Sequence, residues 1–209
     1  MKRLLQVFTL ITYSLTCGFL VLAAIRYLHR PTVKIGQTIN RSALQYLVIN
    51  DEDKKWVEHK KPLVVAFVDF QCPYCRIQLP TLLQWEKITK GQVRLDIRHF
   101  PLSSLHPFAY PASTMFVLRS QAKEPTQVAA TLCKLDLQKT MVEGNQIDDF
   151  LGGTVSQASA ERARKVVDSD VVSAKALGVH GTPTFFVVRS NGEIIEANRL
   201  KDLDELCNP

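Results

Sequence analysis

The chain predicts an α/β domain preceded by one N-terminal transmembrane or signal segment, and three features carry that prediction. An apolar run over residues 63–68 leads into Phe70-Gln71-Cys72-Pro73-Tyr74-Cys75, which puts two cysteines at a strand-to-helix junction. Far downstream, Gly178-Val179-His180-Gly181-Thr182-Pro183 opens a second apolar run, Thr184-Phe185-Phe186-Val187-Val188. At the start, Lys2-Arg3 precede a mostly apolar stretch over residues 4–25, long enough to cross a hydrocarbon core of about 30 Å as a helix.

The N-terminal stretch reads as an uncleaved membrane anchor over residues 1–28, because its apolar run is longer than the core of a signal peptide. A cleaved signal peptide is the alternative, since Val21-Leu22-Ala23 and Leu22-Ala23-Ala24 both satisfy the small-residue rule. Lipidation at Cys17 is disfavoured by Ser14, Thr16 and the continuing apolar run. Lys2 and Arg3 on one side face Arg26, Arg30 and Lys34 on the other, so charge does not set the orientation. The dithiol does: disulfide chemistry is useful where conditions are oxidising, which places the domain outside a bacterial inner membrane, in the periplasm or extracytoplasmic space. Cleavage would instead give a soluble periplasmic protein.

Residues 29–61 are polar and mixed, and read as a tether leading into the domain, with a weak strand signal at Leu47-Val48-Ile49 and a short helix over 51–59. The domain proper is expected over 62–209. A buried strand over 63–70, an amphipathic helix over 72–90 and a strand over 93–100 make a βαβ unit. Residues from about 103 to 164 carry helical periodicity with breaks at Pro125 and Gly152-Gly153. A helix over 166–177 is stopped by Gly178, a hairpin follows across Ser190-Asn191-Gly192, and residues 202–206 close the chain as a short helix. With 209 residues, 46% apolar and 22% charged, the composition suits one membrane or signal segment plus one folded domain. The net charge of +6 is scattered and no nucleic-acid motif accompanies it, so nucleic-acid partners are not expected.

Two residues between cysteines let the first helical turn bring the sulfurs within bonding distance. Cys72 would then sit at the helix N-terminus, where free N–H groups and the helix dipole favour a thiolate, with Cys75 one turn inside. Pro73 falls at the first helical position, where its missing N–H costs nothing. A zinc site would need two more ligands. The chain has no second CxxC, and Cys17, Cys133 and Cys207 are widely spaced, so no metal is assigned. Two thiols can still act as a soft Cu(I) site, which leaves a metal-tolerance protein as an alternative. Thr182-Pro183 reads as a cis-proline loop whose open backbone edge could hold a substrate, the competing reading being an ordinary turn before a strand. Cys133 and Cys207 are the cysteines left over, either a structural disulfide tying the helical region to the C-terminus or two separate thiols.

Together these elements resemble the thioredoxin superfamily, and more closely the bacterial DsbA family of thiol:disulfide oxidoreductases, over roughly residues 62–198. Besides Asp69 to Cys75 and the Thr182-Pro183 loop, the resemblance includes Arg98-His99-Phe100-Pro101-Leu102, His106-Pro107-Phe108-Ala109, and Pro80 inside the active-site helix. It implies a thioredoxin fold with a helical insertion over about 103–164, and a protein disulfide oxidoreductase that needs no dissociable cofactor. Cys72 would be the attacking or attacked sulfur and Cys75 the resolving one, with Thr182 and Pro183 holding the substrate. The implied partners are envelope protein thiols or disulfides and a membrane redox partner that recycles the dithiol. Oxidase action comes first; a reductase or isomerase is the alternative. Tyr74 between the cysteines, Asp69 and His180 are candidate modulators. One departure is Ala66, where the family carries a buried acid; Asp69, Glu86 or solvent would then handle the proton of Cys75. Without a separate dimerisation region, a monomer is expected.

Overall fold

Six consecutive apolar residues, Leu63–Val68, are all buried, as a strand covered on both faces must be. In the computed structural model this strand lies inside a five-stranded sheet, and residues 36–89, 91–121, 123–137, 155–197 and 199–207 are described. The elements run β1 (Gly36–Ile39), α1 (Leu44–Leu47), α2 (Asp51–Glu58), β2 (Leu63–Val68), α3 (Pro73–Ile88), β3 (Arg94–His99), α4 (Ala109–Ser120), α5 (Pro125–Lys134), α6 (Gln157–Ala176), β4 (Thr184–Val188), β5 (Ile194–Ala197) and α7 (Leu203–Cys207).

The sheet order is β1-β5-β4-β2-β3, with β2 and β3 parallel and the other neighbours antiparallel. The parallel pair requires a crossover, which α3 supplies. Alternation along β2 divides the core in two. Val64, Ala66 and Val68 pack with Phe70, Cys75 and Leu79, whereas Leu63, Val65 and Phe67 pack with Leu47, Ala174 and Phe186. Phe67 meets Phe186 edge to face at 6.0 Å, a geometry aromatic pairs favour.

The segment expected as a tether contributes, from residue 36 onward, a strand and two helices to the compact unit Ile35–Pro209. The strand signal at Leu47-Val48-Ile49 is overturned: Leu44–Leu47 is a helical turn, and Leu47 points into the core at 0% exposure. The strand of this region is Gly36–Ile39 instead. A Cβ at Gly36 would stand 2.4 Å from Ile195 Cγ2 and 2.6 Å from Glu196 O, so the absence of a side chain there is what lets β1 lie against β5. The short helix does form at Asp51–Glu58, capped by Asn50, whose Oδ1 accepts from Asp53 N–H at 2.7 Å.

The helical region is α4, α5 and a long α6 that begins at Ser156, whose hydroxyl accepts from Ser159 N–H. The expected boundary at residue 164 therefore falls inside a continuous helix, with Ala163 and Val167 both at 0% exposure on one buried face. Gly178 ends it with φ +77°, a conformation open to glycine. The Gly152-Gly153 break and the N-terminal segment, residues 1–28, lie outside the described residues. Among the described residues no helix is long and apolar enough to cross a membrane.

Candidate active site

The end of β2 turns directly into α3, and Asp69 organises the turn. Its carboxylate is fully buried and accepts from the backbone N–H groups of Gln71 (2.7 Å) and Cys72 (3.1 Å) through Oδ1. Through Oδ2 it accepts from Leu102 N–H (3.0 Å) and His106 Nδ1 (2.7 Å). Gln71 adds a parallel tie, its Oε1 accepting from Phe108 N–H at 2.7 Å. The loop before the cysteines is thus clipped to the segment entering α4.

Cys72 is the N-cap of α3 in an extended conformation, with Pro73 at the first helical position and Arg76 N–H donating back to the Cys72 carbonyl at 3.0 Å. The residue is 4% exposed and its thiol donates to the Thr182 carbonyl at 3.4 Å. Cys75, one turn on, is 0% exposed and its Sγ accepts from Asp69 N–H at 3.4 Å. Burial pushes the Cys75 thiol far up, against smaller opposing pulls from the Asp69 N–H and the Thr182 hydroxyl. The two sulfurs differ in accessibility, and the outer one faces the loop across the sheet.

That loop carries a cis Thr182-Pro183 bond and leads into β4. Thr184 Oγ1 donates to Gly181 O at 2.9 Å and fixes the turn. Pro183 also borders a groove of about 510 Å³ lined by Trp85, Phe185 and Leu200, with Gln78, Thr81 and Lys201 around it. Outside the cysteines, Tyr74 and Ile77 stand 67% and 72% exposed.

Of the residues singled out in the sequence, Cys72, Pro73, Cys75, Asp69, Thr182 and Pro183 come together here. His180 is exposed on the same loop and makes no contact with either thiol among the described residues. Ala66 is buried in β2 and brings no acid; Glu86 lies four turns into α3, where only its backbone carbonyl is engaged, by Thr89 Oγ1. Like Cys72 and Cys75, Cys133 and Cys207 are buried and unbonded in this structure. Each serves as a small apolar core side chain, and burial pushes them up to about 11 and about 12. Pro80 lies inside α3 with no N–H to give the Arg76 carbonyl, while the Arg76 guanidinium reaches Leu135 O at 2.8 Å. Sequence reasoning gave His106 no role, although a histidine just ahead of a helix was visible; the partner it finds is 37 residues away. Nor did it find the buried pair of His99 Nδ1 and Asp170 Oδ2 at 2.6 Å. Among the described residues no group of three or more His, Cys, Asp or Glu could hold a metal ion.

Three solved structures share this fold. A periplasmic thioredoxin-like protein of Salmonella enterica serovar Typhimurium aligns at 21% identity and a TM-score of 0.56, over 82% of this chain and 97% of that one. The thiol-disulfide exchange protein alpha-DsbA2 of Wolbachia pipientis gives 14% and 0.53, over 81% and 97%. A thioredoxin-like oxidoreductase of Silicibacter pomeroyi DSS-3 gives 19% and 0.51, over 83% and 90%. In sequence, the chain is 26% identical over 140 residues to the Na(+)/H(+) antiporter NhaA 3 of Salinispora tropica, covering 59% of this chain and 20% of that protein. It is 27% identical over 169 residues to NhaA 1 of Salinispora arenicola, covering 71% and 24%. The chain therefore spans about a fifth to a quarter of the length of these curated relatives. A family model described as Thioredoxin matches residues 58–208, which include four of the five strands, the dithiol turn and the cis-proline loop: the chain belongs to the thioredoxin family.

Proposed function

We propose that this protein disulfide oxidoreductase of the thioredoxin family works in the bacterial envelope as an oxidase of protein thiols, in the DsbA-like manner. The observation that carries the reading is the asymmetric dithiol: Cys72 caps α3 and faces the carbonyl before a cis proline, while Cys75 is sealed beneath it.

In the oxidised form a substrate thiolate attacks Cys72 Sγ, the Cys72–Cys75 bond breaks, and Cys75 leaves with the electron pair and takes up a proton. Its high proton affinity keeps it a neutral thiol afterwards, so it competes weakly for the mixed disulfide. A second substrate thiolate then attacks the substrate sulfur and displaces Cys72 as a thiolate, a departure favoured at a helix N-terminus. The substrate loses two electrons and the dithiol gains them. An oxidant in the membrane must restore the disulfide, and that is the role of the expected redox partner. The substrate backbone lies along Thr182-Pro183, where no proline N–H competes for its acceptors. Residues 1–28 act as the anchor or signal, the catalytic domain acts as a monomer, and no dissociable cofactor takes part.

The test is an equilibrium titration of the Cys72–Cys75 pair against reduced and oxidised glutathione. A potential near about −120 mV supports disulfide donation, whereas one near about −270 mV assigns the chain to the reductases. Cys72→Ser is expected to abolish exchange. No reversible two-electron transition in the wild type would overturn the reading.

A further inference from the structure

Asp69 offers more than a turn. An ionised carboxylate accepts at about four lone-pair sites and donates nothing, and here four donors converge on it: Gln71 N–H, Cys72 N–H, Leu102 N–H and His106 Nδ1. Three of them are backbone groups with no alternative protonation state. His106 Nδ1 therefore carries a proton as well, either in the neutral ring or in the imidazolium. The carboxylate has no lone pair left with which to take the Cys75 proton unless it gives up a buried hydrogen bond. Its negative charge nevertheless sits against the N–H of Cys72, at the helix end where a departing thiolate places its own negative charge. Of the other charges near this end, His99 is paired with Asp170 and Arg98 with Asp96 and Asp53, while Arg76 in the first turn of α3 turns its guanidinium to the Leu135 carbonyl.

We infer that Asp69 and His106 form a paired positioning device that sets how oxidising the dithiol is, Asp69 opposing the Cys72 thiolate and His106 relieving that opposition. Asp69 holds both cysteines in place, Cys72 through its carboxylate and Cys75 through its own N–H. His106, with 19% of its side chain exposed, holds the carboxylate and draws its charge toward the donated hydrogen bond. Two variants of one hydrogen bond then act in opposite directions. Asp69→Asn removes the negative charge, stabilises the reduced form and makes the dithiol more oxidising. His106→Asn leaves the carboxylate uncompensated and makes it less oxidising.

The inference rests on the proposed exchange chemistry, and one experiment separates the two. The whole chain is equilibrated with reduced and oxidised glutathione, free thiols are trapped, and the redox state is read on the peptide that carries Cys72 and Cys75. Asp69→Asn should shift the equilibrium constant toward the dithiol by about tenfold, the scale of one nearby charge in a protein interior. His106→Asn should shift it toward the disulfide by a few-fold. The double variant should match Asp69→Asn, because His106 acts through Asp69. A wild-type chain with no reversible transition defeats the function reading. A normal wild-type transition with both variants unmoved, or both moved the same way, overturns the paired device and leaves Asp69 a structural cap. Should Asp69→Asn fail to fold, the shift of His106→Asn alone decides.

Discussion

Two buried polar networks border the β2–β3 pair, and they are built for different purposes. Beside Phe67 in the strand register, Arg98 is 2% exposed and spends its guanidinium on Asp96 (2.7 Å), Asp53 (3.3 Å) and the carbonyls of Tyr46 and Leu47. Arg94 joins it through Asp53 at 2.8 Å. All but the Arg98–Asp96 contact within β3 fasten the segment of α1 and α2 to the sheet. Just past the end of β2, Asp69 makes as many hydrogen bonds, but two of its partners are the reacting cysteines. The comparison teaches that equal polar satisfaction has unequal consequences: one network sets stability, the other sets reactivity.

Breaking the first network is expected to give the largest effect on folding. Arg98→Met leaves Asp53, which is 0% exposed and whose proton affinity burial already raises, with Arg94 as its one guanidinium partner, and strips the donors from the Tyr46 and Leu47 carbonyls. Such a loss costs about 3–5 kcal/mol, measurable by urea unfolding, while the glutathione equilibrium of the folded remainder should be unchanged. A shifted redox constant in Arg98→Met would dissolve the contrast between the two networks.

The buried thiols sharpen it from a third direction, because Cys133 and Cys207 are polar groups with no network. Their pKa values are raised, so the folded chain holds their protons more tightly than the unfolded chain does. Their stabilising contribution is whole below pH 9.0 and is lost as pH rises through about 11 for Cys133 and about 12 for Cys207. Each is worth on the order of 3 kcal/mol across that window. Melting curves between pH 8 and 11 should therefore fall less steeply for Cys133→Ala than for the wild type. The smallest expected effect is that of His180→Ala, which should leave the glutathione equilibrium within about twofold because an exposed loop histidine is screened by solvent. A larger shift would extend the reactive network beyond Asp69 and His106.

What was legible in the sequence was local. The apolar run of β2, the CxxC with Pro73 at the first helical position, the stop at Gly178 and the hairpin from β4 to β5 are all written within a dozen residues of one another. Thr182-Pro183 was readable for the same reason. What escaped depends on distant partners. Gly36 makes sense only against Ile195 and Glu196, the guanidinium of Arg98 only against Leu47 and Asp53, and His106 only against Asp69. Cys133 and Cys207 were a pair only by subtraction, which carries no distance, and both lie in the core cluster on the α3 side of the sheet.

The two edges of the sheet have a further consequence. β1 is only four residues long, and β3, at the opposite edge, alternates Arg94, Asp96 and Arg98 with apolar residues. Short edges and charged edges both resist recruitment of another chain's backbone into the sheet. A protein proposed to handle incompletely folded polypeptides meets exposed strands at every encounter, and these edges let it touch such clients through sulfur without becoming a template for their aggregation.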